Sequence, residues 1–153
     1  FQSGPAETSV VPMKAGGYDN PLLGQLGLRA SDLTMSFLYY PLVRELAPQT
    51  VRLVPCRVLQ LAAPDGSEQV RVSISREYLF PLKAEFLKQP DDEKPYRTLE
   101  VASFKEKDKL YYTDTLDLYG PGWRTRIEFD QAEVGVPDPA KPPVIFRAAT
   151  GAK

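Results

Sequence analysis

The chain has 153 residues, a length that suits one domain, with 42% hydrophobic residues and a formal net charge of −1 from 19 basic and 20 acidic side chains. That balance excludes the electrostatic footprint of a nucleic-acid binder or of a protein held on anionic membranes by charge. The absence of histidine excludes Ser-His and Cys-His dyads and the usual imidazole metal ligand, and the single cysteine, Cys56, excludes an internal disulfide and a thiolate cluster.

The chain opens on Phe-Gln-Ser-Gly, which reads as the scar of a protease-cleaved tag, so Phe1 to Ser3 are set aside. Residues 1–20 as a whole, rich in Gly, Pro, Ala and Ser, read as this scar and a mobile or extended arm. Residues 21–138 are expected to form a single sheet domain, and the proline-rich residues 139–153 an extended tail whose Val144-Ile145-Phe146 docks on the body.

Leucines 22, 23, 26 and 28 are expected to tack the chain onto the body. Next, "ASDLTMSFLYYPL" predicts a helix of about two turns. Ser31 suits its N-cap and Asp32 the positive end of the helix. Leu33, Phe37 and Tyr40 share one helical face, and Pro41 ends the helix. So short a helix needs packing to hold it. The period then changes to two. Val70, Val72 and Ile74 alternate with Arg71, Ser73 and Ser75. Phe80, Leu82, Ala84 and Phe86 alternate with Pro81, Lys83 and Glu85. Trp123, Thr125, Ile127 and Phe129 alternate with Arg124, Arg126, Glu128 and Asp130. Such alternation predicts antiparallel strands with one buried face. "RLVPCRVLQLA" and "KLYYTDTLDLY" are apolar on both faces and read as strands covered twice, or lying where a sheet curls. With turns at Asp65-Gly66, "QPDDEKP", "KEKDK" and "YGPGW", the whole reads as a mainly β meander of six or seven strands preceded by a short helix.

Chemistry is sparse. "YGPGWR" lacks the phosphate-loop pattern and precedes no helix, and "PDDE" lacks the spaced ligands of a calcium loop. Asp114, Glu85 and Glu100 lie mid-strand, where nothing in the pattern brings them together as a hydrolytic pair. No catalytic residue, metal site or cofactor is expected, and the chain reads as non-enzymatic. The Arg124/Arg126 pair and the Lys105, Lys107 and Lys109 cluster are interleaved with acids, as on solvated strand faces. Apolar binding remains. Phe37, Leu38 and Tyr40 from the helix, with Val70, Val72, Ile74, Phe80, Leu82 and Phe86 from the strands, are the candidate groove, and all of them equally suit an ordinary core.

The order "DLTMSFLYYPL", "VRLVPCRVLQLAAPDG", "VRVSISREYLFPLKAEFLKQ" and "YRTLEVASFKEKDKLYYTDTLDLYGPGWRTRIEFDQAEVGVPDP" resembles the C-terminal half of bacterial outer-membrane lipoprotein-sorting proteins of the LolA-like superfamily. The matching positions are Asp32, Leu33, Phe37 and Leu38; Pro55, Cys56, Val58 and Leu59; Pro81, Lys83 and Glu85; Phe104 and Lys105; Tyr111 and Tyr112; and Thr125, Ile127 and Phe129. The resemblance implies a half-open barrel, a curved antiparallel sheet with the helix on its concave face. It also implies an acyl chain or other apolar ligand held there, a periplasmic or secreted location, and a signal peptide removed upstream. Leu53 stands where relatives often have Gly. A further run of strands usually precedes the helix, and only a short arm does here. That departure implies a shallow cavity, or completion by a homodimer or protein partner at an edge strand. A protein-interaction module using an open sheet edge, with no small ligand, is the alternative.

Overall fold

The computed structural model describes residues 21–130 and Gly135; the expected arm over 1–20, the tail over 139–153 and the docking of Val144-Ile145-Phe146 lie outside them. Two short helices, α1 (Pro21–Gln25) and α2 (Ala30–Thr34), and a 3₁₀ segment (Ser36–Tyr39) lead into seven strands. The strands are β1 (Leu42–Val51), β2 (Val54–Ala62), β3 (Gln69–Ser75), β4 (Pro81–Leu87), β5 (Arg97–Lys107), β6 (Leu110–Gly120) and β7 (Trp123–Glu128). They form one antiparallel sheet in the order β1 to β7, each strand pairing only with its neighbours in sequence. The fold is the mainly β, open meander that the alternation predicts.

Turn chemistry explains the β2–β3 and β6–β7 connections. Asp65 Oδ1 accepts the Ser67 N–H at 3.0 Å, and Gly66 takes the left-handed φ of 72° that closes the β2–β3 turn. In the β6–β7 turn Pro121 precedes Gly122 at φ 79°, the residue pair that a type II turn prefers. The β1–β2 turn departs from this chemistry. Val51 pairs with Val54, so Arg52 and Leu53 are its two central residues, at φ 48° and 68°, where Asn-Gly is the favoured pair.

The sheet rolls. If it were flat, β2 and β5 would stand three spacings apart, about 14 Å. Yet the Arg52 guanidinium, on the β1–β2 turn, donates to the Val101 carbonyl at 3.4 Å and lies 3.5 Å from Glu100 on β5. The gap it enters exists because the β4–β5 ladder stops at Lys83–Glu100, while β5 runs on to Lys107 paired with β6 alone. Register irregularities in β1, β3–β4 and β5–β6 allow the bending.

One sheet face is apolar and lies under α2 and the 3₁₀ segment. Strand register puts Leu61, Val70, Val72, Ala84, Phe86, Leu99, Leu116 and Leu118 on it, and Phe37 inserts among them. The reverse face is more buried than its polar sequence suggests. Ser73 and Ser75 are inaccessible, as is Gln60, because Gln49 reaches from the rolled β1 to Ser73 and the β4–β5 loop brings the Pro90 carbonyl to Gln60.

The segment before the sheet is two helical pieces rather than one. Met35 takes a left-handed φ of 50°, which ends α2 and starts the 3₁₀ segment. Leu33 is therefore exposed while Phe37 is buried, so they do not share a face. The N-cap is Arg29, not Ser31: Asp32 accepts the Arg29 N–H at 2.7 Å.

Candidate binding surface

The expected groove residues converge. Phe37, Val70, Val72 and Phe86 belong to one buried cluster, and Leu38, Tyr40, Ile74 and Phe80 pack against it half-buried. Leu82 sits in a second buried cluster with Val51 and Cys56. The Phe37 ring meets Phe86 edge-on at 5.4 Å and 80°. In this conformation the set is a filled interior. Among the clefts described, Leu82 is the one member of the set that lines any; that cleft, of about 370 Å³, lies between β4 and β5 against Arg52, Val101 and Phe104. A larger open cleft of about 700 Å³ lies elsewhere, between Arg52, Glu100, Asp117, Tyr119 and Arg124.

A polar clamp fastens the helical cover to the sheet. Arg97, at the head of the apolar face of β5, pairs with the Asp32 carboxylate of α2 and donates to the Gly27 carbonyl at 3.0 Å. Arg29 donates to Glu68 and to the Tyr96 hydroxyl, each at 2.8 Å. The Tyr96 hydroxyl in turn donates to Glu68 at 2.5 Å, and Tyr40 reaches the same carboxylate at 3.3 Å. Arg97 and Arg29 both lie against the Phe86 ring, at 5.1 and 5.7 Å from its centre. Burial works against the Arg29 charge, but the hydrogen bonds it donates to Glu68 and Tyr96 outweigh it and raise its pKa further. Burial, followed by Glu68, lifts the Tyr96 and Tyr40 phenols above their ordinary range.

A second clamp closes over Trp123. Gly27, at φ 68°, lies so near the indole that a Cβ there would stand 2.7 Å from the ring. Thr125 donates to the Leu26 carbonyl at 2.6 Å. The chain between α1 and α2 thus rides on β7.

Sequence reasoning missed the clamp. Arg97 shares its strand face with Leu99 and Val101, so a charge heading an apolar row was the available signal. Arg29, Glu68 and Tyr96 carry no local pattern that joins them. Among the described residues no three His, Cys, Asp or Glu side chains converge as a metal ion would need, and no helix is long and apolar enough to cross a membrane.

No family model and no curated protein matches the chain. Two solved structures are similar. One is a DUF1329 family protein from Desulfovibrio piger, at 14% identity and a TM-score of 0.44, covering 50% of this chain and 33% of that one. The other is an outer membrane lipoprotein-sorting protein domain from Vibrio parahaemolyticus, at 20% identity and a TM-score of 0.44, covering 50% and 34%. The second is of the kind that the sequence resembles. The matched part spans about a third of each of those chains, and no residue role is carried over from either.

Proposed function

We propose that the chain is a non-enzymatic, extracytoplasmic binding protein of the lipoprotein-sorting type, which takes an acyl chain or a comparably slender apolar ligand between its helical cover and its sheet. One observation carries this reading: an apolar sheet face is covered by helical pieces of only five and four residues, α2 and the 3₁₀ segment, with Phe37 as their one fully buried apolar side chain. Helices this short have no stability of their own. The cover is therefore held by Phe37 and the Asp32, Arg29, Glu68, Tyr96 and Arg97 clamp, and a ligand replaces Phe37 by offering equal apolar burial, at roughly 25 cal/mol per Å². A periplasmic location fits such a ligand.

Native mass spectrometry with added fatty acid and lysophospholipid tests the reading. One ligand per chain, accompanied by altered amide exchange over residues 21–40, supports it. A chain that stays empty, with unchanged exchange, overturns it.

The open-edge reading has one observation in its favour: β1 is an edge strand with Leu42 and Val43 exposed by 61% and 52%. Pro48 and two register irregularities interrupt that edge, devices that commonly discourage strand addition.

A further inference from the structure

Three connections crowd one end of the sheet, because alternate turns of a meander fall on the same side. They are the β1–β2 turn at Arg52-Leu53, the β3–β4 turn over residues 76–80, and the β5–β6 turn at Asp108-Lys109. Two of them present leucine to solvent from left-handed backbone. Leu53 is 94% exposed at φ 68°, and Leu79 is 80% exposed at φ 52°. A bulky residue at positive φ is strained. Neither side chain recovers that strain by packing on the described residues, so nothing among them accounts for leucine at either position. Behind the tips stands an aromatic base: Tyr78 lies 5.2 Å from Phe104 and 5.9 Å from Tyr111, and Tyr111 is 40% exposed.

We infer that this end is a docking surface for a lipid bilayer, with Leu53 and Leu79 entering the boundary between headgroups and acyl chains. Two arguments choose lipid over a protein partner. The first is area. The tips are separate and convex, and two leucines bring on the order of 200 Å² of apolar surface, well short of the roughly 1,000 Å² that a stable protein interface buries. A bilayer moulds itself around separate tips. The second is charge. Arg76, Lys107 and Lys109 stand with Glu77, Glu106 and Asp108, three cations to three anions, while Arg52 is turned onto Glu100 of β5. Balance of this kind suits zwitterionic headgroups, whose phosphates the two lysines can reach with their stems lying along apolar surface. Tyr78 and Tyr111, with apolar rings and polar hydroxyls, match the interfacial level directly behind the leucines. Attachment is thus by insertion rather than by net charge, and it needs no ligand under the helical cover.

Sedimentation with phosphatidylcholine vesicles tests this, using the full chain and the variants Leu53→Asn, Leu79→Asn and the pair. Asparagine tolerates left-handed backbone, so the variants should melt at the same temperature or higher. Vesicle binding should fall roughly tenfold for each leucine removed. It should change little between about 0.1 and 0.5 M salt. A chain that stays in the supernatant with vesicles overturns the inference. So do variants that bind like the parent chain. A parent chain that self-associates, with the leucine variants monomeric and vesicles ignored, assigns the tips to a second copy and overturns it as well.

Discussion

The carboxylate of Asp32 and the guanidinium of Arg97, 65 positions apart in the chain, pair where neither side chain is more than 4% exposed. Arg97 also holds the Gly27 carbonyl, while Asp32 Oδ1 and one Arg97 nitrogen, Nη1, have no hydrogen-bond partner among the described residues. A buried pair of this kind is costly to break from one side and cheap to replace from both. Arg97→Met should therefore cost about 3–5 kcal/mol, as should Asp32→Leu alone, while the double variant should recover most of the loss. Urea unfolding of the four proteins checks this. Additive losses in the double variant would mean that the two side chains act independently.

Asp117 supplies an acid-sensitive element. Hydrogen bonds from Arg126 and, after the opposing effect of burial, from Arg124 hold its carboxyl at about 2, below its ordinary 3.8. Because the folded pKa is depressed, the stabilisation is complete above about pH 4 and is lost as pH falls towards 2. The shift corresponds to about 2 kcal/mol, trimmed to roughly 1–2 because both arginine side chains are more than half exposed. Asp117→Asn should flatten the stability profile between pH 4 and 2 and lower the plateau above it. An unchanged acid limb in that variant would contradict the assignment.

Phe37 ties the helical cover to the sheet. Phe37→Ala should cost about 3–5 kcal/mol through lost burial and the cavity left against Phe86. The loss should be uneven. Amides of α2 and the 3₁₀ segment should exchange at nearly the free rate, while those of β3 to β6 keep the greater part of their protection. Uniform loss across the sheet would show that cover and sheet unfold as one unit.

Cys56 reports on opening of the sheet. It is 1% exposed, and burial pushes its thiol up, which suppresses the reactive thiolate. Maleimide labelling should be slow in native buffer and should rise with urea in step with global unfolding. Labelling at the rate of a free thiol would place a local opening at the β1–β2 end.

Much of the fold was legible in the sequence because period-two alternation is a direct record of a half-buried strand. Val70, Val72 and Ile74 share one face as predicted, and so do Ala84 and Phe86. The turns at Asp65-Gly66 and Pro121-Gly122 carry their own conformational preferences, so their positions could be read as well. Three features could not. Met35 breaks the helix through a backbone angle that nothing about methionine announces. Ser73, Ser75 and Gln60 look solvated because polarity is a poor guide to burial once a sheet rolls and a loop covers its back. The clamp joins Arg29, Asp32, Glu68, Tyr96 and Arg97 across three stretches of chain, and local pattern is silent about contacts that distant. Eight of the nine candidate groove residues gather in or against one cluster, Leu82 falls in a second, and together they form a filled interior.

The strictly sequential order of the sheet has a kinetic consequence. Every strand meets its partner across a short loop, so little chain entropy is surrendered before pairing begins to be favourable. The β5–β6 hairpin, eleven residues on each side of a two-residue turn, is the longest local ladder and the natural seed. Growth from it can run outwards in both directions, one hairpin at a time. The contacts that span the chain, Arg52 to β5 and Asp32 to Arg97, close only after the sheet is wide enough to bend. They therefore belong on the native side of the folding barrier, and weakening them should quicken unfolding while leaving the folding rate nearly unchanged.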